Sequence, residues 1–321
     1  MTPASLANAR VLVTGATGLV GSSLVRCLLS ADAEVHALVL PEPEPESDLL
    51  RSGRLARIRV HEGRLEDPVA VAAAVEAARP RFVFHLGAQP LVGLARAHPV
   101  ATFEANVRGT WALLEACRTM SEPPIVAVAS SDKAYGASAK LPYVETDPLA
   151  GSEPYEASKA ITDILAQTYA RSYGLPTRIA RCGNIYGIGD WNWSRIVPGT
   201  IRSLLRGERP VLRSDGTPVR DYIHVDDVVA AYLALATADV APGEAFNFSS
   251  GERLTVREVV DAVTTAVGVA LQPVVLNEAR GEIAAQYLDS SKARTTLGWK
   301  PRRRLGESLS DIVTWYRELL G

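Results

Sequence analysis

The sequence predicts an α/β fold: a doubly wound parallel sheet followed by a smaller α/β lobe. Two observations carry the prediction. Short apolar, β-rich runs alternate with amphipathic helical stretches through the first half, and that rhythm breaks after Cys182. Strands that are apolar along their whole length, with helices between them, belong in a parallel sheet covered on both faces. The strand candidates are 10–14, 34–39, 57–61, 81–85, 124–129 and 177–181. The helix candidates between them are 19–30, 69–78, a long one over 100–118 and another over 155–173. Beyond residue 182 shorter elements follow at 196–206, 211–212, 225–236, 245–248, 255–267 and 309–319, with no internal repeat.

Composition narrows the function classes. The chain has 321 residues, 47% of them hydrophobic, which is ample to bury a core and argues against disorder. Lys and Arg number 34 against 36 Asp and Glu, so there is no basic footprint and nucleic acid is not expected as a partner. Three scattered cysteines, Cys27, Cys117 and Cys182, suit a reducing compartment and provide neither a disulfide framework nor a metal cluster. The longest apolar stretch, 228–238, lies between Asp227 and Asp239 and is too short to span a bilayer. A cytoplasmic protein without a membrane segment is expected. The acidic Pro-rich run 41–46 reads as a solvated, extended loop.

The string Thr14-Gly15-Ala-Thr17-Gly18-Leu19-Val20-Gly21 closes the first strand and opens the first helix. Gly15 permits a tight turn, Gly18 lets the backbone approach a pyrophosphate, and Gly21 lets the helix pack close to the sheet. Dinucleotide binding is therefore expected at residues 15–21. The spacing G-x-x-G-x-x-G resembles that of the short-chain dehydrogenase/reductase superfamily, in particular its extended branch acting on nucleotide sugars. That resemblance implies a Rossmann-type domain over 1–182 and a mainly substrate-binding lobe over 183–321, with segments interleaved between the two. The second strand ends Val39-Leu40, so neither an acidic residue nor an arginine marks the ribose; the reading leans to NAD, with NADP left open. Where the superfamily shows Gly-Asp near the adenine, this chain has Gly63-Arg64, followed by Leu65.

Tyr155 and Lys159 stand four residues apart on a helix, hence on one face. A lysine ammonium and an oxidised nicotinamide both favour the phenolate, so Tyr155 can remove a hydroxyl proton while hydride leaves the same carbon. Ser131, at the carboxyl end of the fifth strand, would hold the oxygen being oxidised. The next residues, Asp132 and Lys133, occupy positions where, by resemblance, sugar-nucleotide 4,6-dehydratases carry acid and base groups and 4-epimerases carry small inert ones. The Ser-Asp-Lys-x-Tyr string is similar to that of CDP-glucose 4,6-dehydratases.

The resemblance extends over nearly the whole chain. It implies that Leu86, Gly87, Ala88 and Gln89 line the nicotinamide, with Gln89 also at the sugar, and that Asn106 and Cys182 belong to the cofactor site. It places Asn184, Arg195, Ile196, Val197, Arg220 and Arg280 at the substrate, the arginines as candidate partners of the diphosphate. His224 reads as structural. Two features depart from the CDP-glucose dehydratase pattern: the string Arg220-Asp-Tyr-Ile-His224, and Gly87 where alanine is usual. The function expected is an NAD-dependent nucleotide-sugar 4,6-dehydratase with tightly held NAD, Asp132 as acid and Lys133 as base. The alternatives are a 4-epimerase, a UDP-uronic acid decarboxylase, a 4-ketoreductase or a non-catalytic sensor. A homodimer is implied by resemblance.

Overall fold

The computed structural model describes residues 6–43, 46–278 and 282–321. Along the chain come β1 (Arg10–Thr14), α1 (Leu19–Leu29), β2 (Glu34–Val39), a single turn α2 (Asp48–Arg51), β3 (Arg59–Glu62), α3 (Pro68–Ala78) and β4 (Phe82–His85). Then follow α4 (Val92–Ala97), α5 (Pro99–Phe103), α6 (Gly109–Arg118), β5 (Ile125–Ala129), α7 (Pro154–Tyr173) and β6 (Thr177–Cys182). The remainder comprises β7 (Asn184–Tyr186), α8 (Ile196–Leu205), β8 (Val211–Leu212), β9 (Val219–His224), α9 (Val225–Thr237), β10 (Glu244–Phe248), β11 (Arg253–Thr255), α10 (Val256–Val267), β12 (Val274–Val275), β13 (Ala285–Gln286), α11 (Ser291–Leu297) and α12 (Leu305–Leu320).

The main sheet has seven strands in the order β10-β6-β5-β4-β1-β2-β3, and every pairing in it is parallel. The order reverses between β1 and β4, which opens a crevice at the carboxyl ends of the strands. One face buries Val11, Val13, Phe82 and Phe84 under α1 and α9; the other buries Leu12, Val83, Val126 and Val128 under α3, α6 and α7. Full burial of each such side chain stabilises the fold by about 1.5–3 kcal/mol, so both faces need their helices. The strand β10, though late in the chain, lies at the edge of this sheet, with α11 packed beside it.

A smaller sheet, β11-β9-β13 with β7 also on β9, carries the second lobe. Its separate core gathers Tyr186, Val197, Ile201, Val259, Val263, Leu309 and Ile312 between α8, α10 and α12. Local signals set the helix ends. Asp67 caps α3 by accepting from the N–H groups of Val69 and Ala70, with Pro68 at the first helical position. Glu153 and Glu156 form a capping box on α7, and Gly174 ends that helix in the left-handed conformation.

The single helix expected over 100–118 is divided. A π turn over Glu104–Arg108 joins α5 to α6. Its centre is Asn106, whose carbonyl accepts from the hydroxyls of Thr110 (2.5 Å) and Thr162 (3.1 Å). Its side chain bonds Gln89 and Ser158. These side-chain bonds accompany the local widening of the helical ladder.

Candidate active site

The phosphate loop is a backbone construction. Gly15 has φ +71°, and a Cβ there would sit 2.7 Å from the Gly87 nitrogen. A Cβ on Gly21 would lie 2.0 Å from the Gly15 carbonyl oxygen. Both positions therefore accept only glycine, whereas a Cβ on Gly87 would meet the flexible end of the Leu65 side chain at 2.7 Å, which alanine there would displace. The close approach of the β1 and β4 ends is what requires glycine at Gly15. Gly18, by contrast, is exposed, with only the Gly15 oxygen near its Cβ position, at 3.5 Å. It caps α1 with no side-chain bond, so the free N–H groups of Leu19, Val20 and Gly21 face an open approach. That is the environment a dinucleotide diphosphate requires, and the residues present fit it.

The surrounding elements fix the loop. The Ser47 hydroxyl donates to the Thr17 carbonyl at 2.7 Å. Thr14 Oγ1 accepts from Gly87 N at 3.1 Å and bonds His85 Nδ1 at 2.8 Å. His85, fully buried, also bonds Thr110, and burial holds its pKa down to about 3. Leu86 and Ala88 flank Gly87 at the carboxyl end of β4, half-buried. Leu65 packs in the core beside Gly109, whereas Arg64 is exposed, with Glu66 at 3.6 Å.

Gln89 is held by hydrogen bonds within the chain. Its amide donates to Thr102 Oγ1 of α5 at 3.0 Å and accepts from Leu91 N at 2.5 Å, which braces the corner before α4. Asn106 accepts from Gln89 N at 2.7 Å and donates to Ser158 Oγ at 2.9 Å, so it ties β4 to α7.

The second half of the site is made by side chains. Ser131 caps a 3-10 turn over Asp132–Tyr135 immediately after β5, accepting from Lys133 N at 3.2 Å. The Ser131 hydroxyl donates to Asp132 Oδ1 at 2.9 Å, and Lys133 Nζ lies 3.4 Å from Asp132 Oδ2. Asp132 is buried at 1% exposure, while the Lys133 side chain retains 17%. On α7, Tyr155 lies near enough to Ser131 to feel its hydroxyl, and Lys159 Nζ donates to the Ala129 carbonyl at 2.9 Å. Cys182, at the end of β6, is buried between these groups, which raises its thiol pKa.

Lys159 was expected to lower the Tyr155 pKa. In the chain alone, burial and the Asp132 charge push Tyr155 up to about 12, against the weaker pull of Arg195 and Ser131. Burial brings Lys159 down to about 8. The lysine is itself desolvated, and burial dominates the phenol as well.

The substrate candidates fall on the second lobe. Asn184 opens β7, Arg195 caps α8, and Ile196 and Val197 begin that helix. Arg195 donates to the buried Asp190 at 3.0 Å, and its charge reaches Tyr155. Arg220 pairs with Glu282 at 3.0 Å. Arg280 lies outside the described residues. His224 caps α9, its Nδ1 accepting from Asp226 N, the structural role expected of it.

Two groups in the site carry no local sequence signal. Arg181, on β6, forms a two-pronged buried pair with Asp163 of α7 at 2.7 and 3.0 Å and donates to the Tyr135 hydroxyl at 2.7 Å. It thus links the 3-10 turn to α7. Gln286, on β13, is fully buried against Asp132 and Lys133. Among the described residues, no cluster of His, Cys, Asp and Glu has the arrangement of a metal site, and no helix is long and apolar enough to cross a membrane.

A dinucleotide-binding crevice with a Ser, Tyr and Lys set at its mouth defines a nicotinamide-dependent enzyme of the short-chain dehydrogenase/reductase type. The chain belongs to the NAD dependent epimerase/dehydratase family, whose profile matches residues 11–249. It is 34% identical to a dTDP-glucose 4,6-dehydratase of Streptomyces antibioticus, over 96% of this chain and 92% of the relative. It is 31% identical to a CDP-glucose 4,6-dehydratase of Salmonella typhimurium, over 96% and 90%. Its fold matches the crystal structure of a UDP-glucose 4-epimerase with UDP-glucose from Thermotoga maritima with a TM-score of 0.90, at 29% identity and covering 97% and 99% of the two chains.

Proposed function

We propose that the chain is a nucleotide-sugar 4,6-dehydratase working with tightly held NAD. One observation favours this over an epimerase. The Asp132–Lys133 pair stands beside Tyr155, at the carboxyl edge of the sheet, where an epimerase needs no further proton-handling groups. Both relatives described above are named 4,6-dehydratases, and the family is NAD dependent.

Tyr155 takes the proton of the C4 hydroxyl, and Ser131 holds that oxygen. Lys159, anchored to the Ala129 carbonyl, sets the lower edge of the pocket. Bound NAD supplies the temporary oxidation of C4, the reduction of C6, and a positive charge that favours the Tyr155 phenolate. With C4 a ketone, the C5 proton is acidic. Lys133 accepts it, and Asp132 gives a proton to the departing C6 hydroxyl, which leaves as water. A proton then returns to C5, so the net change is loss of one water. Arg195 and Arg220 meet the diphosphate, Arg220 exchanging Glu282 for phosphate oxygens. Arg280 is a third candidate for that role.

We place the enzyme in the cytoplasm as a homodimer. Exposed Val100, Trp111, Ile161 and Ile164 on α5, α6 and α7 support an apolar contact between two copies.

The test is incubation of the purified protein with CDP-, dTDP-, UDP- and GDP-hexoses in heavy water, without added reductant. The expected product has lost water and carries one deuterium at C5. An isomer of unchanged mass with no exchange would contradict the reading and favour the epimerase. Size-exclusion chromatography with light scattering would separate dimer from monomer.

A further inference from the structure

Gln286 reaches the reacting corner from β13, more than 150 residues along the chain from the 3-10 turn. It is fully buried. Its Nε2 donates to the Asp132 main-chain carbonyl at 3.0 Å, which fixes the orientation of the amide. Its Oε1 is thereby turned towards Lys133 and accepts a hydrogen bond from Nζ. Lys133 Nζ also lies within 3.4 Å of Asp132 Oδ2.

A lysine nitrogen is tetrahedral, with one vertex on carbon and three for protons or a lone pair. Asp132 and Gln286 each accept one N–H, so two of the three vertices are directed at fixed oxygens. The third has no acceptor among these groups. In the neutral amine it carries the lone pair; after proton uptake it carries the new proton. The side chain keeps 17% of its surface open, unlike Asp132 and Gln286.

We infer that Gln286 is a positioning residue that aims the proton-exchanging vertex of Lys133 at the sugar, through a two-point clamp on Asp132 and Lys133. The inference rests on the dehydratase reading. In it C5–H breaks, its proton passes to Lys133 Nζ, and the electron pair forms the C5–C6 double bond as the C6 hydroxyl, protonated by Asp132, departs as water. Gln286 itself exchanges no proton. Its effect is confined to elimination, because Tyr155 handles C4 oxidation from α7.

The experiment uses the full chain with bound NAD and the nucleotide hexose on which the wild type is most active, in heavy water. Two steps are read separately: the transient absorbance of reduced nicotinamide for C4 oxidation, and C5 deuterium incorporation with water loss for elimination. Gln286→Met fills the same volume without hydrogen-bonding groups. It is expected to keep C4 oxidation within about threefold of wild type while elimination falls at least tenfold. Gln286→Glu sets a carboxylate against the Asp132 carbonyl, which breaks the clamp, and beside Lys133, which holds the amine charged; elimination is expected to fall at least tenfold with C4 oxidation within about threefold of wild type. If Gln286→Met does not fold, an unchanged ratio of elimination to C4 oxidation in Gln286→Glu overturns the inference. Equal losses in both steps for Gln286→Met, or no loss in either, overturn it too, and leave the dehydratase reading standing. A wild-type product that is an isomer without C5 exchange overturns both.

Discussion

The phosphate loop and the proton-transfer corner lie at the same edge of one sheet and are built in opposite ways. The loop is contiguous, residues 14–21, and its work is done by main chain: Gly15 and Gly21 exclude side chains, and Gly18 leaves the helix N-terminus open. The corner draws on three separated segments, 131–133, 155–159 and residue 286, and its work is done by side chains in hydrogen-bonded contact. A backbone site tolerates no change of shape but asks little of side-chain chemistry. A side-chain site keeps its shape through isosteric changes and loses its chemistry at once.

Substitution exposes that difference directly. The largest effect falls on the loop: Gly21→Ala places a Cβ 2.0 Å from the Gly15 oxygen, and neither partner is a flexible side chain. A loss of about 3 kcal/mol or more is expected, together with loss of bound NAD, read by chemical denaturation and by nucleotide released on unfolding. A variant of wild-type stability that retains the dinucleotide would break the contrast.

At the corner, Tyr155→Phe removes one hydroxyl. C4 oxidation is expected to fall by about 10²–10⁴-fold, read as reduced nicotinamide in a single turnover, with thermal stability little changed. A large fall in Tm would mean that the corner, too, is held by shape.

His85 joins the two regions through Thr14 and Thr110. Burial keeps it neutral, with a pKa of about 3 in the folded chain against 6.5 in the reference state. Below about pH 6.5 the unfolded chain binds a proton that the folded chain refuses. Stability from this group is therefore intact above pH 6.5 and falls by about 1.4 kcal/mol per unit as the pH drops towards 3. His85→Gln is expected to be less stable at pH 7 and to lose less on acidification, measured as Tm against pH. Parallel curves for the two proteins would remove His85 from the account.

The smallest effect is expected at Arg64. It is exposed and only loosely paired with Glu66, so Arg64→Ala should cost about 0–1 kcal/mol. A clear weakening of NAD binding, by titration of the apoprotein, would assign it to the adenosine end of the site.

Legibility in the sequence followed the same division. The inner strands β1, β4 and β5, buried on both faces, appear as largely apolar runs, whereas the edge strand β3 is polar and exposed; the structure places all these strand ends within a residue or two of the expected bounds. The exception in the helices, the π turn at Asn106, arises from bonds to Gln89, Ser158 and Thr162 that no local pattern announces. In the second lobe β9 was not legible, because Arg220-Asp-Tyr-Ile-His224 reads as polar loop until β7, β11 and β13 pair with it. The C-terminal helix begins at Leu305 rather than 309, since Gly306 and the arginines before it look like a linker. The loop, Tyr155, Lys159 and the Ser131–Lys133 string were all legible as local motifs. Gln286 was not, because its contacts cross between lobes.

The central claim is that oxidation at C4 and elimination across C5 and C6 occur in one visit to one site. The most direct test supplies nucleotide hexose deuterated at C4, without added reductant, and locates the label in the product. A dehydratase is expected to yield a 4-keto-6-deoxy sugar with the deuterium on its C6 methyl group. Recovery of the label at C4, on an inverted carbon in a product of unchanged mass, would contradict the account.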